Sequence, residues 1–131
     1  GELNVLRNLP NYHYVEAPTT TCKFVFQMDD QEKMEYGQHV RQHCADTVEA
    51  VKKYHAKLLV MDEVLDAVAM GMLSDEALAE FLRNRPEDLE VVMTGRAPTP
   101  CTDPLADYIT RMQKVRHPFD KGLNARLGVE F

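Results

Sequence analysis

Two short apolar runs constrain the fold of this chain most: "KLLVM", residues 57 to 61, and "LEVVMTG", residues 89 to 95. Runs of this kind suit strands buried on both faces of a parallel sheet. Parallel strands need a crossover, and the residues between the two runs have helical character. "EVLDAVAMGML" predicts a short helix ended by Gly71. "DEALAEFLRN" predicts another, capped by Ser74, with Glu76 and Glu80 near its start and Arg83 near its end, as the helix dipole prefers.

Upstream, Asp29 and Asp30 are candidate N-caps for a long amphipathic helix that ends near Tyr54. Its apolar face carries Met34, Val40, Cys44, Val48 and Val51. A helical turn broken at Pro10 and a short strand around Tyr12–Glu16 open the chain, and "PTTTCKF" follows as an irregular loop. The prolines of "RAPTPCTDP" exclude regular structure there. "LADYITRMQKV" predicts a short helix merging into a final strand, and "RHPFDKGLNARLGVEF" a polar tail punctuated by glycine. The alternation of strand and helix predicts one α/β domain over residues 1–131, a parallel sheet with flanking helices.

Composition narrows the function classes. A chain of 131 residues, 44% apolar and 27% charged, has the make-up of a soluble globular domain. No run approaches the roughly 18 apolar residues of a membrane span, and no secretory signal opens the chain, so no membrane partner is expected. The net charge of −6 argues against nucleic acid as the main partner, but not against a nucleotide at a locally positive site. Cys22, Cys44 and Cys101 are odd in number and widely spaced. They argue against a disulfide framework or a structural zinc site, and for a reducing cytoplasm.

The chemistry gathers at the strand ends. Asp62 and Glu63 follow the first run, at the C-terminal edge where open α/β sheets place their ligands. One carboxylate can hold Mg²⁺, directly or through water, and the other can orient water or the metal. The plain alternative is a solvated strand end or a helix N-cap. Thr94, Gly95 and Arg96 leave the second run, and a hydroxyl, a flexible backbone and a guanidinium suit phosphate or ribose contacts. An ordinary turn with a surface arginine reads the same way. His39 and His43 have metal-ligand spacing but no HExxH glutamate between them, and they read as a solvated helix face. "RHPFDKG" is by itself a well-made turn. Near a ligand, His117 and Asp120 could fix a polar group and Phe119 could pack on a flat ring. Phe24 and Phe26 read as core anchors unless a ligand meets them. Cys22 and Cys101 would need a lowered pKa to react, of which the sequence gives no sign.

Taken together and in order, "GELNVL", "LLVMDEV", "FLRNRPEDLEVVMTGR", "LADYITRMQKVRHPFDKG" and "ARLGVEF" resemble the ATP:corrinoid adenosyltransferases of the cob(I)yrinic acid a,c-diamide type. The resemblance runs over nearly the whole chain and is most specific from Val91 to Gly122. It implies a P-loop, RecA-like fold. It also implies a reaction in which cobalt(I) of a corrinoid attacks the 5′ carbon of ATP, releasing triphosphate and forming a cobalt–carbon bond. By position, Asp62 and Glu63 match the acidic pair of the Mg–ATP site, and Thr94, Gly95 and Arg96 the motif facing the nucleotide. His117, Pro118, Phe119, Asp120 and Gly122 match the His-Pro-aromatic-Asp turn, and Arg126, Gly128 and Glu130 the tail. His117, Phe119 and Asp120 are thereby candidates for the corrinoid.

Two departures stand beside the resemblance. The family's opening strand and Walker A loop are not among these residues, and nothing reads G-x-x-x-x-G-K-[ST]. Where family members often show Phe-Thr-Trp against the corrin, "TTTCKFVF" stands here without tryptophan, leaving Phe24 or Phe26 for that role. The expectation is either part of a longer protein or a shortened relative. A sheet lacking its first strand leaves backbone groups and apolar faces to be covered, so a homodimer or higher oligomer is expected. A flavoprotein is a candidate reductant. The alternative from another class is a corrinoid- or partner-binding module that does not activate ATP. A different P-loop phosphotransferase is a third reading, against which the His-Pro-Phe-Asp turn speaks.

Overall fold

A computed structural model describes residues 3–16 and 25–129. Its sheet is a parallel pair, β1 (Leu58–Met61) and β2 (Glu90–Met93), in the register Leu58↔Glu90 through Met61↔Met93. Both predicted runs therefore form strands, joined by helices α3 (Val64–Ala69) and α4 (Asp75–Arg83). The long helix α2 (Asp30–Tyr54) precedes β1.

Local chemistry explains the boundaries. A capping box opens α2: the Glu32 amide donates to Asp29 Oδ1 at 2.8 Å and the Asp29 amide to Glu32 Oε2 at 3.0 Å. Asp29, not Asp30, is thus the cap. The helix closes with Lys52 and Lys53 in its last turn and His55 in a left-handed conformation. Ser74 caps α4 by accepting from the Ala77 amide at 3.2 Å, and Gly71 with φ +71° turns the chain after α3.

The core lies on one face of the sheet. Val64, Leu65 and Leu78 are buried together, with Met61, Val68, Leu73 and Met93 packed against them. Leu89 is 2% exposed at the entry to β2, and Arg85 donates from Nη1 to the Leu82 carbonyl at 2.7 Å and from Nε to the Leu89 carbonyl at 3.3 Å. Lys57 and Asp88 form an ion pair where the strands begin. That lysine holds the Asp88 carboxyl below its ordinary range. Gly37 lets the turn after α3 approach α2, where Arg41 Nη1 donates to the Met72 carbonyl at 3.0 Å.

Several expectations are corrected. The strands are not buried on both faces: Leu58, Val60 and Val92 are 59%, 58% and 46% exposed, while the alternate residues face the core. Of the apolar face predicted for α2, Val51 is buried, Val40, Cys44 and Val48 are half-buried, and Met34 is exposed. No strand forms at Tyr12–Glu16, nor a helix and strand over 105–115. A strand needs a paired ladder, and among the described residues only β1 and β2 pair. Tyr108, Ile109, Thr110 and Val115 are also poor helix formers.

The chain divides into two units. One is Val15–Asp107, which holds the sheet; the other joins residues from both ends, Gly1–Tyr14 with Tyr108–Phe131. Within the second unit, helix α1 (Leu3–Leu6) leads to Arg7, whose guanidinium lies 5.3 Å from the Tyr14 ring centroid. Tyr108, Met112 and Val115 there are each 93% exposed. No helix among the described residues is long and apolar enough to cross a membrane.

The one-sided core makes a testable contrast. Leu89→Ala is expected to lower stability by about 2–5 kcal/mol, whereas Leu58→Ala on the open face should change it by less than about 1 kcal/mol. Denaturant unfolding of both variants measures the difference, and equal losses would mean that the outer face is covered in solution.

Candidate functional site

The sheet brings its two predicted motifs together at the C-terminal strand edge. Asp62 follows β1 and Thr94 follows β2, and the Thr94 amide donates to the Met61 carbonyl at 3.2 Å, carrying the ladder one step beyond the strands. The Thr94 hydroxyl donates to Asp62 Oδ1 at 2.6 Å and accepts from the Glu63 amide at 2.8 Å. The Thr94 carbonyl accepts from the Leu65 amide at 3.3 Å. One threonine therefore ties the end of β2 to the end of β1 and the start of α3, with its backbone and its hydroxyl both engaged. Its hydroxyl proton is committed to Asp62.

Glu63 makes the turn that permits this. It is left-handed at φ 55°, ψ 17°, a conformation that costs a non-glycine residue about 1–2 kcal/mol. The turn aims its amide at the Thr94 oxygen and leaves its exposed side chain with no capping role. Asp62 is also exposed, and its second oxygen has no protein partner among the described residues. Two exposed carboxylates fit Mg²⁺, which binds through one or two carboxylates, substrate phosphates and water. Among the described residues no three His, Cys, Asp or Glu side chains are grouped to hold a metal unaided. An ion here would depend on its ligand for further oxygens.

Gly95 and Arg96 continue the loop over α3. A Cβ on Gly95 would stand 2.6 Å from Leu65 Cβ and 3.2 Å from the Asp66 amide nitrogen, and its φ is +154°. Close approach, not flexibility alone, requires glycine here. The Arg96 amide donates to Asp66 Oδ1 at 3.4 Å, while its guanidinium reaches that oxygen only at 4.0 Å and stays 94% exposed. A pair so loose and solvated leaves the charge available for another anion. Sequence reasoning missed Asp66. The available signal was an acid in the first turn of the helix that begins where the Asp62–Glu63 strand stops.

The other candidates stand elsewhere. Phe26 is 80% exposed in a 3₁₀ turn, Val25–Gln27, and Phe24 lies outside the described residues. Phe119 is 69% exposed in the turn Pro118–Lys121. His117 Nδ1 accepts from the Phe119 amide at 3.1 Å, and Asp120 accepts from Lys114 Nζ at 2.8 Å. Both side chains thus build the turn itself. His39 and His43 are half-buried, not on a solvated face, and each keeps Nδ1 away from solvent without a hydrogen bond. The Cys44 thiol is pushed up by burial, and the Cys101 thiol by its hydrogen bond to Asp75, so neither is primed as a nucleophile. Cys22 lies outside the described residues.

A family model described as "ATP:corrinoid adenosyltransferase BtuR/CobO/CobP" matches residues 1–131. The chain belongs to this family. Among curated members, the corrinoid adenosyltransferase of Escherichia coli (strain K12) is 28% identical over 130 residues, covering 95% of this chain and 63% of that protein. Corrinoid adenosyltransferase CobA of Salmonella typhimurium matches to the same extent, 28% over 130 residues. A Pseudomonas aeruginosa corrinoid adenosyltransferase is 38% identical over 74 residues, 56% of this chain and 36% of that protein. The chain thus spans 63% of the length of the first two relatives. No solved structure matches it significantly.

Gly95 is the sharpest single test of this geometry within the chain. Gly95→Ala is expected to cost about 1–3 kcal/mol through overpacking against Leu65. Thermal unfolding measures the loss, and a variant as stable as the parent would mean that the loop stands farther from α3.

Proposed function

We propose that this chain serves ATP-dependent adenosylation of a corrinoid, in full or as the major part of a longer enzyme of RecA-like P-loop fold. The observation that carries the reading is the Thr94–Asp62 hydrogen bond, an acid–hydroxyl pair at the C-terminal edge of a parallel sheet, two residues before the exposed and only loosely paired guanidinium of Arg96. Membership of the family over the whole chain supports it.

In this reading Asp62, held by Thr94, and Glu63 would hold Mg²⁺, and Arg96 would face the triphosphate. An ion held there would supply positive charge that eases the departure of the triphosphate. The substrate cobalt(I) attacks C5′ of ATP: a cobalt–carbon bond forms, the C5′–oxygen bond breaks, and triphosphate leaves with the bonding electrons. The protein's share is positioning, since both partners must meet in line. Phe24 or Phe26 would pack on the corrin, with His117, Phe119 and Asp120 as further corrinoid contacts. The reading also includes self-association over the uncovered sheet and a flavoprotein as electron donor. A corrinoid- or partner-binding module that does not activate ATP is the second reading, favoured by the observation that among the described residues no three His, Cys, Asp or Glu side chains are grouped to hold a metal unaided.

The deciding experiment mixes the purified chain with Mg–ATP and chemically reduced corrinoid and follows the visible spectrum for a light-sensitive product. Product formation supports the enzyme; corrinoid binding without product supports the module. Thr94→Val, which removes the bond that orients Asp62, should lower activity or metal affinity about 10–100-fold with the fold retained. Glu63→Gly separates chemistry from stability. Relief of the left-handed backbone should leave stability unchanged or raised by up to about 1 kcal/mol, while Mg²⁺-dependent nucleotide binding weakens. Unaltered binding in both variants would remove the acidic pair from the site.

A further inference from the structure

We infer that Asp75, Thr99 and Thr102 form a positioning device that fixes where Arg96 stands at the sheet edge. Its functional consequence rests on the nucleotide reading above; its structural part does not. Thr99 and Thr102 are 6% and 1% exposed, buried hydroxyls within a loop that three prolines keep irregular. Buried hydroxyls need partners, and these two partner each other. The Thr99 amide donates to Thr102 Oγ1 at 3.2 Å, the Thr102 amide to Thr99 Oγ1 at 3.3 Å, and the two oxygens are 2.6 Å apart.

Asp75 fixes the direction of the protons. The Thr99 hydroxyl donates to Asp75 Oδ1, so in the contact between the two threonine oxygens Thr102 must be the donor. The chain runs from Thr102 to Thr99 to the carboxylate, each bond polarising the next. Asp75 Oδ2 accepts from the Cys101 amide at 3.0 Å, so one carboxylate grips the loop on both sides of Pro100. The Thr99 hydroxyl, foremost, holds this carboxyl below its ordinary range, with the Cys101 amide adding to the effect, so the acceptor is charged at neutral pH.

The grip is transmitted to Arg96 over a short path. Asp75 sits in the first turn of α4, whose Leu78, Ala79 and Leu82 are buried, so the anchor is rigid. Only Ala97 and Pro98 separate Thr99 from Arg96, and proline has a fixed φ. On the other side Gly95 is wedged against Leu65. Because the guanidinium is 94% exposed with one distant partner, its own contacts do not aim it. Its backbone does, and that backbone is held at both ends.

Hydrogen exchange on the full chain tests the device, with Thr99→Val removing the hydroxyl at nearly constant shape and Thr99→Ser restoring it. Exchange at the amides of residues 95–97 is expected to rise about tenfold in Thr99→Val and to return within about twofold of the parent in Thr99→Ser, with β1 and β2 unchanged. Unchanged exchange over 95–97, or a uniform rise across the sheet, overturns the inference. Should Thr99→Val fail to fold, Asp75→Asn, which cannot accept both bonds, should show the same local rise. Titration with Mg–ATP then reads the consequence: Thr99→Val should weaken binding about 3–10-fold, at most one factor-of-ten step in free energy. Parent-like binding despite faster exchange would overturn the link to Arg96. If the parent itself binds no Mg–ATP, the nucleotide reading fails, and the exchange result alone decides whether the loop is positioned.

Discussion

Strand register is the constraint on which the candidate site depends. Pairing Met61 with Met93 puts Asp62 and Thr94 level with each other, one step beyond the sheet. A slip of one residue in either strand would turn its core-facing side chains outward and break that alignment. Met61 and Met93 pack on Val64, Leu65 and Leu78, so the apolar core selects the register, and the register in turn selects which polar groups meet. The Lys57–Asp88 pair marks the opposite end of the same alignment.

Beyond the strands, short hydroxyl side chains do the ordering. Thr94 satisfies the end of β1, the turn at Glu63 and the start of α3 at once. Thr99 and Thr102 do the same for a loop whose prolines cannot join a ladder. In both places a carboxylate ends the hydrogen-bond chain, Asp62 in one and Asp75 in the other. Asp62 remains exposed at the edge, whereas Asp75 is bound on both oxygens and serves the fold.

What was legible in the sequence was what local patterns encode. The runs at 57–61 and 89–93, the caps at Asp29 and Ser74, and the turn at Gly71 each follow from a few adjacent residues. Asp62, Glu63 and Thr94–Arg96 were legible because strand ends advertise themselves. Burial on both strand faces was not, because an apolar run records what a strand can bury and not what lies over it. Residues 12–16 and 105–115 were misread for a related reason: a strand is a property of two segments. Asp66 and the Asp75–Thr99 contact were invisible because side-chain bonds spanning 30 and 24 positions leave no periodicity.

A sheet of two strands has no interior strand. Among the described residues each of β1 and β2 keeps one row of backbone donors and acceptors unpaired within the sheet, and Leu58, Val60 and Val92 lie open beside them. Any segment that adds to either row stiffens the register, and with it the spacing of Asp62 and Thr94. On the proposed reading, sheet completion and ligand binding at this edge would be coupled. Whatever factor an added strand contributed to ligand affinity, the ligand would return to the affinity for that strand.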